Sequence, residues 1–183
     1  FLVTANTSDQ SNKLFGYVKK MMKTVISIEP FKTLAKKTQL EIQANQIIQK
    51  KTNNKIWKIS YEADKYDSTH NVLAIYDEAG ALKSFDRLTD IPDGQSQVIP
   101  YHQFIKISSA YPDPTSPFHD EQIKMQNIME KDFERKGDNS LCLVWMQDDL
   151  DETYKPETWV KSNPLIALSD KERERRTGNL IKQ

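Results

Sequence analysis

Residues 71–80 constrain the fold of this chain more than any other stretch. Residues 72–76 are mostly apolar and do not alternate with polar residues, and two adjacent carboxylates, Asp77 and Glu78, follow directly. An uninterrupted apolar run of this kind is typical of a strand that is covered on both faces, as in a parallel sheet. The stretch therefore predicts a buried strand of an α/β sheet, with Asp77 and Glu78 at its carboxyl end.

Two acids at that edge of a sheet have a specific chemical use. Open α/β sheets bind ligands at the carboxyl ends of their strands, where carboxylates can hold a hydrated Mg²⁺ and orient a water molecule toward a phosphate. The pattern is that of a Walker B motif. Alone it is a weak signal, because an apolar strand that ends in Asp-Glu at a polar turn is also common without any nucleotide site.

The composition fits one substantial α/β domain that carries long solvated segments. Of the 183 residues, 37% are hydrophobic and 28% are charged. The 26 basic and 26 acidic residues cancel, so a contact with nucleic acid would require a local basic patch. The single cysteine, Cys142, lies in an apolar run, which predicts a buried thiol and a reducing, intracellular compartment. No apolar run approaches the roughly 20 residues that span a bilayer.

The rest of the chain predicts strands that alternate with helices, an order typical of a mainly parallel sheet with helices on both faces. Residues 40–44 fit either a strand or a helix. The first half of the chain predicts a strand at its start, a helix capped by Thr7 or Ser8, and a hairpin over residues 47–61; the apolar stripe of the helix is Leu14, Val18, Met21, Met22 and Val25. A short helix after Gly80 is expected to end at residues 92–94, and a strand over 104–111 follows it. The remainder predicts a helix over about 118–136, a buried strand over 141–146, and a charged helix begun by Ser169 and Glu172.

Two other groups of polar residues are weaker candidates for a site. Residues 148–152 form an acidic run, for which we favour a solvated loop over a metal site because such runs usually face water. His70, His102 and His119 lie far apart, with no metal-ligand partner at a usual spacing. Surface or core positions are therefore expected for the histidines.

Four short motifs lie at residues 1–10, 59–64, 107–110 and 159–164. Their order resembles that of the ATPase region of the large subunit of tailed-bacteriophage terminases, the motor that pumps DNA into a procapsid. Residues 1–10 resemble that family's strand and polar turn opening into a helix. Residues 59–64 resemble the segment upstream of its acidic pair. Residues 107–110, Ile-Ser-Ser-Ala, resemble its coupling motif, and residues 159–164, Trp-Val-Lys-Ser-Asn-Pro, resemble its Trp-x-Lys-x-Asn-Pro signature.

The resemblance implies a fold and a set of roles. The fold would be like that of P-loop NTPases of the ASCE type, incomplete at its N-terminal side, with ATP and Mg²⁺ as cofactors. Asp77 would orient the hydrated Mg²⁺, and Glu78 would act as the general base or water-positioning group. Ser108 and Ser109 would sense the γ-phosphate and pass the change to the surface that contacts DNA.

One required part of such an ATPase is missing from the sequence. A glycine-rich Walker A loop with Lys-Ser or Lys-Thr holds the β- and γ-phosphates, and none of the five glycines here lies in such a sequence. In the family that loop precedes the segment that resembles residues 1–10, and a nuclease domain follows the ATPase. We therefore expect a fragment: a partial ATPase domain over residues 1–164 and a charged helical linker over 165–183, inactive on its own.

The resemblance also implies double-stranded DNA, the small terminase subunit and the portal or procapsid as partners, with no membrane and a homo-oligomer in the working motor. The location would be the cytoplasm of the bacterial host of a phage or prophage. Two other interpretations remain open. One is another nucleotide-dependent motor, such as a helicase-like module, and the other is a binding or scaffold domain in which Asp77 and Glu78 only cap a turn. A Walker A loop upstream of Phe1 would support both motors and exclude the scaffold.

Overall fold

A computed structural model describes residues 1–59, 70–84, 86–96, 100–109, 111, 113, 115–131, 141–171, 174–175 and 178, to which the following statements refer. The chain divides into two compact units, Phe1–Asn127 and Ile128–Gln183. The predicted boundary after residue 164 remains a prediction. Within the part described, no helix is both long enough and apolar enough to cross a membrane.

The first unit contains a six-stranded mixed sheet that is mainly parallel around its centre. Its strands are β1 (Leu2–Ala5), β2 (Leu40–Ile42), β3 (Gln46–Gln49), β4 (Asn54–Ile59), β5 (Leu73–Asp77) and β6 (Gln103–Ile107), in the order β2-β3-β4-β1-β5-β6. β1 pairs in parallel with β4 and β5, and β5 pairs in parallel with β6. β3 is antiparallel to β2 and β4. The predicted α/β class, the hairpin and the parallel strands are confirmed, and residues 40–42 are a strand.

The helices lie between or after these strands in chain order. They are α1 (Ser8–Val25), α2 (Phe31–Thr38), α3 (Asp86–Ser96), α4 (Pro117–Lys131) and, in the second unit, the short α5 (Trp159–Ser162). Thr7 caps α1 as predicted: its hydroxyl accepts from the Gln10 amide at 3.2 Å, and its own amide donates to the Gln10 side chain at 3.1 Å. This reciprocal pair satisfies two amides that the first helical turn leaves without partners.

The main core lies on one face of β1 and β5. Leu2 and Ala74 lie opposite each other in the register, and with Tyr76 they form the centre of a buried cluster. Ala79 and Leu82, which follow β5, and Ile91 of α3 complete the cluster. On the other face α1 packs along β1 and β4, and Phe15 is buried outside the cluster. Ala74 and Tyr76 on one face of β5 are therefore buried, whereas Leu73, Ile75 and Asp77 on its other face are only partly buried, so the strand is less covered than predicted.

The buried face of α1 differs from the predicted stripe. Met21 is 68% exposed, whereas Ser11 and Phe15 are fully buried. The helix approaches the sheet through Ser11, whose small side chain donates to the Ile59 carbonyl oxygen at 3.3 Å. This close approach turns Phe15 rather than Met21 toward the sheet.

The predicted end of α3 at residues 92–94 is wrong, because the helix continues through Pro92 to Ser96. Its last turn is held by Gln95, which is fully buried. The Gln95 amide donates to the Asn71 side chain at 2.9 Å and to the Gln103 carbonyl oxygen at 3.0 Å. The first hydrogen bond attaches the helix to the segment before β5 and the second attaches it to the start of β6, and together they offset the usual preference of proline for a helix boundary.

Two predictions for the second half of the chain, the strand over 141–146 and the buried thiol of Cys142, are also wrong. Residues 141–147 form no strand, and Leu141 is 80% exposed, while Cys142 is only partly buried. A β-forming sequence becomes a strand only where a neighbouring strand offers hydrogen bonds, and the described residues of the second unit contain no strand. Residues 132–140, where α4 was expected to end, and Glu172, which was expected to begin the last helix, lie outside the described residues.

The acidic run in the second unit is exposed, as expected, except at Glu152, which is buried. Asp149 caps a short 3₁₀ helix, Leu150–Tyr154, by accepting from the Glu152 amide at 3.0 Å. Glu152 is only 8% exposed and pairs with Lys161, which also contacts Asp148 at 2.6 Å. These hydrogen bonds, first from Lys161 and then from the Asp148 amide, lower the pKa of Glu152. Lys161 of the Trp-x-Lys-x-Asn-Pro segment thus stabilises this turn.

Candidate functional site

Polar residues follow three neighbouring parallel strands at the same edge of the sheet. Ala5, Asp77 and Ile107 lie opposite one another at the carboxyl ends of β1, β5 and β6. The residues that come next are therefore neighbours at this edge, and they are Asn6, Glu78 and the pair Ser108–Ser109. The structure thus brings together all four residues that the sequence singled out as Asp77, Glu78, Ser108 and Ser109.

The main chain turns sharply at Glu78. This residue has φ 58° and ψ 39°, in the left-handed region, directly after the last strand residue Asp77. The Asn6 side-chain amide donates to the Glu78 carbonyl oxygen, and the Asn6 side-chain oxygen accepts from the Tyr76 hydroxyl at 2.8 Å. Because Tyr76 is fully buried, Asn6 is fixed from the core and in turn fixes the turn at Glu78.

Ser108 is connected to the same turn. The turn continues as a single 3₁₀ turn, Ala79–Ala81, in which the Gly80 amide donates to the Ser108 hydroxyl oxygen at 2.9 Å. Ser108 donates in turn to the Ser109 carbonyl oxygen at 2.8 Å, and Ser116 donates to the Gly80 carbonyl oxygen at 2.9 Å. A Cβ atom at Gly80 would lie only 2.6 Å from the Ser108 hydroxyl oxygen. Glycine therefore permits the close approach of the turn to the end of β6.

Tyr111 contacts the carboxylate of Glu78. Its hydroxyl donates to Oε2 of Glu78 at 2.9 Å, and its ring lies against Gly80. This hydrogen bond raises the pKa of Tyr111, with smaller contributions from partial desolvation and from the charges of Glu78 and Asp77. The sequence reasoning missed both Tyr111 and Asn6. Asn6 could have been recognised as a candidate, because it is a polar residue that directly follows the predicted first strand, which is parallel to β5.

Burial perturbs the other acid. Partial desolvation raises the pKa of Asp77, the negative charge of Glu78 adds to this effect, and the hydrogen bond from the Glu78 amide at 3.1 Å opposes it. A charged Asp77 is therefore destabilising at neutral pH unless a cation lies nearby. The donor atoms at this edge are carboxylate and hydroxyl oxygens, which suit Mg²⁺.

The described residues contain no group of three or more His, Cys, Asp and Glu side chains that could hold a metal ion by themselves. Mg²⁺ commonly keeps several water ligands and binds through one or two carboxylates together with substrate phosphates. The acidic pair fits this mode of binding, in which most ligands come from water and phosphate.

The neutral total charge conceals a strongly basic segment. Residues 1–59 contain eleven lysines against three acidic residues, a net charge of +8 that the remainder of the chain balances. Exposed lysines on α1 and α2 are Lys13, Lys20, Lys23, Lys32, Lys36 and Lys37. On α1 the spacing of Lys13, Lys20 and Lys23 places them on one side of the helix. Counting charge by segment would have revealed this patch from the sequence.

The sequence matches no family model and no curated protein. The structure is similar to the crystal structure of the HK97 bacteriophage large terminase, with a TM-score of 0.68 and 20% sequence identity over the whole of this chain. The chain covers 36% of the length of that terminase. Of the four motifs, residues 60–64 and 110 lie outside the described part. The likeness confirms the resemblance at the level of the fold: this chain folds like a part of a phage large terminase.

Proposed function

We propose that this chain is part of the ATPase of a phage large terminase, the ATP-driven motor that packages viral DNA into a procapsid. The observation that carries the proposal is the placement of Asp77 and Glu78 at the carboxyl end of a strand flanked by two parallel neighbours, with Ser108 at the same edge. That edge is where α/β sheets bind their ligands. The likeness of the fold to the HK97 large terminase supports the same conclusion.

The two acids would have different roles. Partial burial makes the negative charge of Asp77 unfavourable, so Asp77 is the residue that would orient a hydrated Mg²⁺. A bound Mg²⁺ would neutralise charge on the phosphate oxygens. Glu78 would take the proton of the attacking water or orient that water. One of its carboxylate oxygens accepts from Tyr111, and the other is the candidate for this contact.

Ser108 and Ser109 would report the state of the nucleotide. The Ser108 hydroxyl accepts from the amide of Gly80, two residues beyond Glu78, so a displacement of the end of β6 changes the turn that carries the base. Ser109 is exposed beside it. This link supports the role in coupling hydrolysis to movement that we propose for the pair.

Double-stranded DNA is the proposed substrate of the motor, and the lysine-rich segment 1–59 is the candidate surface for it. Lysines that neutralise phosphates release counterions, so DNA affinity should fall steeply with salt. Replacing Lys32 and Lys36 on α2 by glutamine should reduce the slope of log K against log salt by roughly 2, whereas Lys124→Gln on α4 should leave it unchanged. Equal slopes for all three proteins would exclude α2 as a DNA contact.

The remaining proposals follow from the same assignment. The small terminase subunit and the portal or procapsid would be protein partners, the working motor would be a homo-oligomer, and the location would be the cytoplasm of the bacterial host. The chain itself contains no Walker A sequence, so we expect little ATP hydrolysis from residues 1–183 alone. Hydrolysis at an ordinary motor rate by this chain would contradict that expectation.

Two substitutions in the complete protein test the assignment. Glu78→Gln keeps the size of the side chain but cannot take a proton, so turnover should fall by about 10²–10⁴ while ATP still binds. Asp77→Asn should weaken both Mg²⁺-dependent ATP binding and turnover. Glu29→Gln, which removes an exposed acid of the same unit, is the control and should change neither.

Steady-state ATPase rates and nucleotide-binding measurements distinguish the open interpretations. If Glu78→Gln turns over ATP like the parent, Glu78 only caps a turn and the assignment of the site is wrong, whereas a parent that does not hydrolyse ATP would support the scaffold interpretation. A helicase-like motor would show the same two mutational effects but would unwind duplex DNA and would not package it into procapsids.

A further inference from the structure

The hydroxyl of Tyr111 and the carboxylate of Glu78 form a contact that no sequence motif predicts. The donor and acceptor are 2.9 Å apart and 33 residues apart in the chain. Tyr111 follows β6 by four residues, and Glu78 follows β5 by one. The contact therefore joins the segments that leave two neighbouring strands.

The ring of Tyr111 is held in place by the turn after Glu78. Its Cδ2 atom would lie 2.7 Å from a Cβ atom at Gly80, so the ring occupies the space that the missing side chain leaves open. Gly80 is itself tied to Ser108 through its amide. Although Tyr111 is 39% exposed, its hydroxyl is thus aimed at the carboxylate by contacts along the ring.

A glutamate at the rim of a sheet has three rotatable side-chain bonds, and an unrestrained carboxylate samples several rotamers. A hydrogen bond to a charged acceptor is shorter and stronger than one between neutral groups. The bond from Tyr111 occupies Oε2 of Glu78 and so limits both the position and the orientation of the carboxylate. None of the described residues donates a hydrogen bond to Oε1, which can therefore accept one from a water molecule.

We infer that Tyr111 is a positioning residue for Glu78, fixing the carboxylate that the proposed function assigns to water activation. The inference rests on that proposed function. Because Tyr111 and Ser108 both follow β6, a displacement of this segment away from β5 breaks the hydrogen bond and releases the carboxylate. Tyr111 thus makes the geometry of the base depend on the position of the end of β6.

The test is Tyr111→Phe in the complete protein, which keeps the ring against Gly80 and removes only the hydroxyl. Since a misplacement of about 1 Å can cost on the order of 10² in rate, we expect kcat to fall roughly 10- to 100-fold. The KM for ATP, the affinity for nucleotide and the melting temperature should stay at the values of the parent. Tyr101→Phe, at a tyrosine of the same unit that is 87% exposed, is the matched control and should change none of these.

The double variant separates positioning from a structural role. If Tyr111 acts through Glu78, adding Tyr111→Phe to Glu78→Gln should leave the residual turnover of radiolabelled ATP unchanged. A further fall in that residual rate, or a lower melting temperature or weaker nucleotide binding in Tyr111→Phe alone, would overturn the inference in favour of a structural role.

The two proposals fail in different ways. If Glu78→Gln loses turnover but Tyr111→Phe has the parent's kcat, the positioning role is wrong and the proposed function stands. If Glu78→Gln keeps the parent's kcat, the proposed function fails, and the inference fails with it.

Discussion

Adding a methyl group at Gly80 tests whether the turn after β5 and the end of β6 are packed as closely as the structure shows. In Gly80→Ala the new Cβ would lie 2.6 Å from the Ser108 hydroxyl oxygen, 2.7 Å from Cδ2 of Tyr111 and 3.1 Å from the Ser109 carbonyl oxygen. Ordinary contacts begin near 3.4 Å, so the side chains of Ser108 and Tyr111 must withdraw by about 0.7–0.8 Å and the backbone of Ser109 by about 0.3 Å. The Ser109 contact is to backbone, and a side-chain rotation cannot relieve it.

The cost follows from three contributions. Overpacking of a close contact costs about 1–3 kcal/mol. The hydrogen bond from the Gly80 amide to Ser108, 2.9 Å long in the parent, weakens at a cost of about 1 kcal/mol. Alanine lowers the conformational entropy of the unfolded chain, which offsets about 0.4–1 kcal/mol of this loss of stability. We expect a net loss of roughly 1–3 kcal/mol, which lowers the Tm of a chain of this size by about 2–4 °C per kcal/mol.

Urea unfolding of the purified chain, followed by circular dichroism, measures this loss. Gly16→Ala is the matched control, because Gly16 lies within α1 and a Cβ there would meet nothing within 4 Å. That substitution should instead stabilise the chain by about 0.5–1 kcal/mol, since glycine is unfavourable inside a helix. If Gly80→Ala unfolds at the same urea concentration as the parent or at a higher one, the close contact between the turn and β6 does not exist.

Three further predictions concern charged groups. Lys161→Met should lower the melting temperature at neutral pH and should make the melting temperature less dependent on acid pH. The hydrogen bond from Lys161 lowers the pKa of Glu152 in the folded state, so this carboxylate stabilises the fold above its unfolded pKa of 4.5, and that stability is lost as the pH falls through the folded pKa. Melting curves of parent and variant that respond equally to acid would contradict this. Asp77→Asn should raise the urea midpoint at neutral pH, since burial raises the pKa of Asp77 and its charged form therefore destabilises the folded state. A lower midpoint would show that the carboxylate is stabilising instead. Glu78→Gln should lower the pKa of Tyr111 toward its ordinary value, as measured by NMR titration of ¹³C-labelled tyrosine; a pKa that does not move would show that the hydrogen bond is absent in solution.

The strand that carries the acidic pair could be predicted from the sequence because the information is local. Residues 72–76 form an unbroken apolar run that ends in two acids, a pattern that favours a central strand, and β5 indeed pairs with a parallel strand on each side. The cap of α1 is local as well, since Thr7 and Gln10 are three residues apart. Both predictions needed only neighbours in the sequence.

The contacts that complete the site could not be predicted in this way. Asn6 reaches Glu78 across 72 residues, and Tyr111 reaches it across 33. Which polar residues meet at the edge of a sheet depends on strand order, and local patterns do not encode that order. The continuation of α3 past Pro92 has the same cause, because the hydrogen bonds of Gln95 come from distant segments and override a local preference.

The backbone conformation of Glu78 has a consequence for how this chain can evolve. A residue with a Cβ atom pays about 1–2 kcal/mol in the left-handed region, a penalty that glycine avoids. The hydrogen bond from Asn6 goes to a main-chain oxygen, so glycine at position 78 would keep it. Selection for folding alone therefore disfavours glutamate at position 78. The same selection keeps Tyr76, which is fully buried, and Gly80, where a Cβ atom would be too close to Ser108. In a library of random variants sorted only for stability, Glu78 should be lost early, and in one sorted for the ATP turnover that we propose for the complete protein it should be kept.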